Sequence, residues 1–425
     1  MTTLLVFVAL VLAYGLVSRL LGRHAITGPI VFVAAGLLVS PDALDIISVS
    51  VEEEAVRLLA ELTLAIVLFT DAGRIDFIAV RHSPQIPVRL LAIAMPLTIG
   101  AGIAVGAVLL ADLEFWEAAI VAAVLAPTDA ALGQAVVSNM AVPARVRQGL
   151  NVESGLNDGL SVPFLFIFIA FAGIEGNSGS TAFWVQFIVE QIGLGVLVGL
   201  AVGLGGAWLL KQALRNDSVG PTFQQLTAIA LALIALLGAE ELGGNGFIAA
   251  FVAGLAAGQI CEPLSARLLE FSEEEGQLLT LGTFFIFGAA FAAPRIDEIT
   301  WEIALYAVLS LTLIRMVPVA LSMLGLGLTH ATKLFVGWFG PRGLASIVLA
   351  LIVLEEEGVV GREEVFTVVV ITVLFSVFAH GLTARPLAMA FGRHCERADM
   401  PDAPEMQEVM PIPTRFRDED ERMMA

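Results

Sequence analysis

The sequence predicts an all-α polytopic membrane protein of about thirteen transmembrane helices, on three observations. Of its 425 residues 58% are hydrophobic and only 15% charged, where a soluble domain carries about 25% charge; mean hydropathy is +0.88. Apolar runs of roughly 18 or more residues, each enough to cross a bilayer core as a helix, recur from end to end. The runs lack the alternation of a membrane barrel, so helices are the structure that satisfies their backbone.

The spans are bounded by polar clusters. The first, near 3–21, follows a Met-Thr-Thr-Leu-Leu start with no basic region and no small-residue cleavage site, and is expected to remain as a helix. The second, 27–40, is short for a full crossing. The third and fourth, 55–72 and 86–112, enclose Asp71, Arg74, Arg81 and Arg89. The fifth, 116–138, is interrupted by Pro127, and the sixth, 147–173, opens with the polar stretch NVESGLNDGL. The seventh to tenth run near 182–210, 222–239, 245–260 and 276–294, with Glu240–Glu241 at one boundary. The eleventh, twelfth and thirteenth run near 300–328, 332–354 and 364–390, with Gly and Pro breaking the twelfth. Beyond about residue 395 the composition turns to Pro, Met and mixed charge, which reads as a short flexible tail.

Arginine and lysine set the orientation, because short cytoplasmic loops hold the excess of positive charge. Arg19, Arg23, Arg74, Arg81, Arg89, Arg145, Arg147, Lys211, Arg215, Arg267 and Lys333 fall in one set of alternate loops. Arg385, Arg393, Arg397, Arg415, Arg417 and Arg422 follow on the same side. The opposite loops hold only Arg57, Arg295 and Arg362, beside Glu52–Glu53–Glu54 and Glu355–Glu356–Glu357. The N-terminus is therefore expected outside and the C-terminus in the cytoplasm of a cell membrane, which requires an odd number of spans. Net charge is −19 and only two of 22 basic residues are Lys; with no basic stripe, nucleic-acid binding is not expected. Cys261 and Cys395 suggest no disulfide framework, and no resident cofactor is implied.

Ionisable residues inside the spans are Glu61, Asp71, Asp129, Glu153, Asp158, Arg315 and Arg342. Each costs about 2.5–3.5 kcal/mol at mid-membrane even on a lenient scale, so such residues line a polar pathway or pair with one another. In a helix, Ser154 and Asp158 share a face, and Glu153 and Asn157 the neighbouring one. A hydroxyl, an amide oxygen and a carboxylate are hard ligands suited to Na⁺, K⁺ or H⁺. The bland alternative is a hydrogen-bond cluster joining helices. Glu61 and Asp71 fit a local pair or snorkelling as well as a funnel lining, and His380 fits a helix-end hydrogen bond as well as a pH sensor.

Two spans look broken. Pro127 in APTDA removes a backbone donor just before Thr128 and Asp129. Gly337, Gly340, Pro341 and Gly343 interrupt the twelfth span around Arg342. If thirteen spans divide as six, a linker and six, the second half is inverted and the broken spans correspond. Such paired breaks are the best sequence pointer to a transporter's binding site. The deep acids Asp129, Glu153 and Asp158 outnumber the deep bases Arg315 and Arg342 by one, leaving one carboxylate to hold either a proton or a metal cation.

APTDA at 126–130, ESGLNDG at 153–159 and GPRGLAS at 340–346 resemble the NhaP-type sodium/proton antiporters, relatives of the sodium/hydrogen exchangers. LAIVLFTDAGRID at 64–76, NGFIAAFVAGLAAG at 245–258 and HGLTARPLA at 380–388 extend the likeness. The resemblance implies two inverted six-helix repeats with unwound, crossed fifth and twelfth helices, in a homodimer working by elevator-like alternation. It implies dimerisation or scaffold helices at 1–80 and 215–294, an ion-transporting core at 85–173 and 300–391, a linking helix at 182–210 and a cytosolic tail at 395–425. Asp158 would be the carrier carboxylate, with Ser154, Asp129 and Thr128 helping to hold a transported Na⁺ or Li⁺. Asn157 would bridge to the broken fifth helix, and Glu153 would pair with Arg342. Arg315 resembles a family arginine without an assigned partner. Asn rather than Asp at 157 implies electroneutral exchange of one proton per cation. The sequence departs from the family at APTDA, where many relatives read ATDP.

Two rivals and a variant remain. An intramembrane aspartyl protease needs two membrane carboxylates, here Asp129 and Asp158, but neither lies in a Tyr-Asp or Gly-x-Gly-Asp context. A channel would need a filter sequence that is absent. K⁺/H⁺ exchange on the same fold remains open, since the ligand set is hard oxygen throughout.

Overall fold

The computed structural model describes residues 2–23, 26–47, 49, 54–75, 77–175, 180–260, 276–397, 403–407 and 409. Glu52 and Glu53, Cys261, Arg267 and the tail arginines 415, 417 and 422 lie outside the described residues. Among those described there is no strand, and seven helices are long and apolar enough to cross a bilayer.

Helix α1 spans Thr2–Arg23 and α2 Gly28–Val39. At 1.5 Å per residue α2 is only about 18 Å long. It lies close against α10 (Gly276–Glu298) because Gly36 and Gly288 each face the other helix's backbone, and a Cβ at either would collide with a carbonyl of Phe285 or Val33. Helix α3 spans Glu54–Gly73, and α4 spans Gln85–Leu109 with a wide turn at Leu90–Ala94 just before Pro96.

The fifth predicted span is two helices, α5a (Phe115–Val124) and α5b (Ala130–Val137), separated by residues 125–129 around Pro127. Helix α6 (Ala144–Glu175) carries the polar stretch. The long α7 (Thr181–Arg215) lies against α9 (Gly246–Ile260), with α8 (Pro221–Glu241) beside both. Gly195, Gly199 and Gly203 of α7 fall at four-residue intervals on one face, and a Cβ at each would press on α9 backbone carbonyls. Helix α11 (Trp301–Ser322) is interrupted at Thr312. The twelfth predicted span is α12a (His330–Trp338) and α12b (Leu344–Glu355), and α13 runs Arg362–Arg397.

Helices α4, α5, α6, α11, α12 and α13 pack on one another, while α3, α7, α8 and α9 share a second core of Ile66, Phe69, Ala207, Ala232 and Ala253. Val121, Val124, Val348 and Val353 lie at the centre of the larger core.

The tail departs from expectation. Pro404–Met406 forms a turn in which Glu405 is only 3% exposed and accepts a hydrogen bond from Thr332 at 2.9 Å. Arg145, at the start of α6, donates to the Pro404 carbonyl and the Gln407 amide oxygen. This part of the tail is therefore docked, because its carboxylate answers the hydroxyls and N-terminus of α12a.

Candidate functional site

The two broken helices cross, and each break is satisfied by the other. A break leaves carbonyls free on the first half-helix and amides free on the second, and both must find partners away from water. The Asp129 amide donates to the Pro341 carbonyl at 2.8 Å. Its Oδ1 accepts from the Leu132 amide at 2.9 Å, capping α5b, and its Oδ2 accepts from the Leu344 amide at 2.7 Å, capping α12b. One carboxylate thus caps two helices whose positive dipole ends converge on it.

Gly343 is required here, because a Cβ would collide with the Asp129 carboxylate. On the opposite side, Arg342 Nη1 donates to the carbonyls of Ala126 at 2.6 Å and Pro127 at 3.1 Å, and Ser346 Oγ to Val124 at 2.7 Å. The carbonyls that α5a loses to Pro127 are thereby taken up by α12.

Glu153 and Arg315 correct the expected pairing. Glu153 binds Arg315, not Arg342, through two bonds of 2.9 Å, with both residues 3% exposed. The physical reason is room and direction. Arg315 lies flat over Gly340, where any side chain would overlap its guanidinium, and this path delivers it to α6. Arg342 leaves the unwound stretch the other way, toward the negative end of α5a. Arg315 thereby gains the partner that the sequence did not assign, and Arg342 is held by carbonyls.

The remaining predicted residues meet on α6. Thr128 Oγ1 lies 2.9 Å from Ser154 Oγ and accepts from Asn157 Nδ2 at 2.8 Å, while the Thr128 amide donates to Asn157 Oδ1 at 3.3 Å. Asn157 thus bridges α6 to the break in α5. Asp158 is buried one turn beyond Ser154 on the same face. Beside it, Phe251 of α9 lies against Gly159 so closely that a Cβ would overlap the ring.

Two small clefts adjoin this cluster. One is lined by Ala130, Gly133, Asn151, Ser154 and Pro341; the second, lined by Asp71, Arg74, Asn151 and Gly155, shares Ala130 and Asn151 with it. Arg74, expected among the loop charges, is buried and paired with Asp71. Glu61 pairs with Arg57 at 2.8 Å, Arg57 also reaches Glu355, and Glu240 and Glu241 are exposed.

Sequence reasoning missed Ser346 and Ser376, and left His380 between two roles. Ser376 accepts the Arg342 amide at 2.6 Å, and His380 Nε2 donates to the Trp338 carbonyl at 2.9 Å. Their four-residue spacing on α13 was the available signal.

A family model described as sodium/hydrogen exchanger, transmembrane, matches residues 6–390. The K(+)/H(+) antiporter NhaP2 of Shewanella sp. strain MR-4 is 26% identical over 373 residues, covering 86% of this chain and 63% of that protein. The Na(+)/H(+) antiporter ApNhaP of Aphanothece halophytica is 27% identical over 361 residues, covering 80% and 66%. The chain thus spans less than two thirds of the length of these curated relatives. Among solved structures, the sodium proton antiporter MjNhaP1 from Methanocaldococcus jannaschii at pH 8 superposes with a TM-score of 0.73 at 19% identity, over 92% of this chain and 99% of that one, which shows the fold. With the matched region running from the first helix into the last, this multi-pass membrane chain belongs to the sodium/hydrogen exchanger family.

Proposed function

We propose that the protein is a secondary antiporter exchanging one monovalent cation for one proton by competition at Asp158. The observation that carries this reading is the convergence of the buried Asp158 with Ser154, Thr128 and Asn157 where the two broken helices cross. Glu153 is neutralised by Arg315, Asp129 is held by two helix N-termini, and Arg342 by carbonyls. Asp158 is buried on the same helix face as Ser154, whose hydroxyl meets Thr128 at the break in α5. A carboxylate that a proton or a cation can occupy, but not both, is sufficient for coupled exchange. Asn rather than a second Asp at 157 leaves one such carboxylate at this pair, hence one proton per cation.

Asp129 supplies charge and fixes the crossing. Its oxygens are committed to backbone amides, which speaks against an aspartyl protease, where both carboxylates must face one water.

Scaffold helices at 1–80 and 215–294 with a moving core at 85–173 and 300–391 draw support from the core that α3, α8 and α9 share and from the mutual packing of α4, α5, α6, α11, α12 and α13, and a homodimer fits the almost wholly unburied α1. The positive-inside pattern puts Asp71, Arg74 and the clefts on the cytoplasmic side of a cell membrane.

Na⁺ is the first candidate, with Li⁺ beside it. The names of the Shewanella relative and of the K(+)/H(+) antiporter NhaP of Alkalimonas amylolytica favour K⁺ as a second reading. Protein in liposomes with an internal pH dye, pulsed separately with Na⁺, Li⁺ and K⁺, distinguishes them. The dye is expected to respond to at least one cation and Asp158→Asn to abolish the response while remaining folded; exchange by that variant refutes the assignment.

A further inference from the structure

The unwound stretch of α12 is held from behind by residues outside the ion site. Residues 339–343 leave the Arg342 amide without a helical partner, and the Trp338 carbonyl accepts only from the Gly340 amide in a tight turn, at 2.9 Å. Both are answered by one face of α13. Ser376 and His380 lie four residues apart, fully buried. Arg342 N–H donates to Ser376 Oγ at 2.6 Å, and Ser376 Oγ lies 3.1 Å from His380 Nδ1. His380 Nε2 lies 2.9 Å from the Trp338 carbonyl, which can only accept, so Nε2 carries the proton. In the neutral ring Nδ1 is then the acceptor and takes the Ser376 hydroxyl hydrogen, and the hydroxyl oxygen is left to accept from Arg342. The Ser376 carbonyl, also 3.1 Å from Nδ1, is the expected α-helical acceptor and needs nothing from the ring in this tautomer. Every donor in the chain Arg342, Ser376, His380, Trp338 has one acceptor.

We propose that Ser376 and His380 are positioning residues for the cation site, acting through Arg342. The belt fixes the Arg342 backbone; the Arg342 guanidinium fixes the Ala126 and Pro127 carbonyls; the next residue, Thr128, carries the hydroxyl and amide that meet Ser154 and Asn157. Slack at α13 therefore appears as misplacement of Thr128, some distance away and on another helix. Trp338 reinforces the arrangement, since its indole donates to Thr383 at 3.0 Å, one further turn along α13 beyond His380.

This inference rests on the proposed exchange for its kinetic test and on the fold alone for a second one. In liposomes, Ser376→Ala and His380→Ala should each raise the cation KM about five- to tenfold, the effect of losing about one buried hydrogen bond. The double variant should do no more than either single one, because both break the same chain. His380→Gln, whose amide can still donate to Trp338, should recover much of the affinity. A purely structural role would instead lower the amount of active protein with KM unchanged. An unchanged KM in both alanine variants, or additive effects in the double, overturns the proposal. Independently of transport, hydrogen–deuterium exchange of the peptide covering 338–343 should accelerate in both alanine variants. If the wild type moves no protons, the functional reading fails while this measurement still decides the positioning role, and exchange no faster than wild type overturns it.

Discussion

Glu153→Leu separates the two pairings that the charges allow. In the structure Glu153 and Arg315 are joined by two bonds of 2.9 Å, with side chains 3% and 4% exposed. Opposite charges about 4 Å apart attract by about 4 kcal/mol at an effective dielectric near 20, and stranding one member of a buried pair costs about 3–5 kcal/mol. Glu153→Leu should therefore lower stability by about 3–5 kcal/mol, as should Arg315→Met. Replacing both by apolar residues of similar size removes the stranded charge, so the double variant should regain most of the loss and show a coupling energy of about 3 kcal/mol or more. Glu153→Leu combined with Arg342→Met should show no such recovery, because Arg342 is bound to carbonyls. Thermal melting of the wild type and these four variants in one detergent measures both comparisons. Recovery with Arg342→Met and none with Arg315→Met would refute the pairing and the charge assignment built on it.

Asp129→Asn leaves one oxygen to serve two buried amides, so either Leu132 or Leu344 loses its acceptor; a cost of about 1–3 kcal/mol should appear as a lower melting temperature. Gly343→Ala pushes a methyl into the Asp129 carboxylate and should abolish exchange, while Gly205→Ala, with open space around it, should be silent in the same dye assay. Burial raises the Glu405 carboxyl, but hydrogen bonds from its own backbone and from Thr329 and Thr332 outweigh it and hold the group below its ordinary 4.5. A lowered folded value stabilises docking above 4.5 and loses that contribution as pH falls through the folded value. Glu405→Gln should accordingly loosen the tail already at pH 7, raising the rate of tryptic cleavage after Arg397 about fivefold for the loss of about 1 kcal/mol; an unchanged rate would contradict the tether.

The breaks in α5 and α12 were legible because Pro127, Gly340, Pro341 and Gly343 are local signals whose effect needs no tertiary context. The shared face of Ser154 and Asp158 was legible for the same reason, since helical spacing alone produces it. The partner of Glu153 was not. Charge parity allows either arginine, and the choice depends on the open path over Gly340, a property of how α11, α12 and α6 are rotated. Asp129 was visible as a deep carboxylate, but its second cap on α12b depends on the crossing. The break of α11 at Thr312 has no Pro or Gly beside it to announce it, and the docked Pro-Glu-Met turn is three residues in a charged background. Arg74 shows the converse failure, where a residue that patterning assigns to a loop is drawn inward by Asp71.

The five deep charges also bear on how the proposed exchange would respond to membrane voltage. Under the proposed exchange, with Arg315 and Arg342 positive and Glu153, Asp129 and Asp158 negative, these buried groups sum to one negative charge, which one bound proton or monovalent cation would cancel. Carrying a full elementary charge through the field involves about 2.3 kcal/mol per 100 mV, whereas a filled core crosses without electrical work. Under the proposed exchange, resting potential therefore neither drives nor opposes the loaded steps, and a futile return of the vacant form is penalised by the same arithmetic.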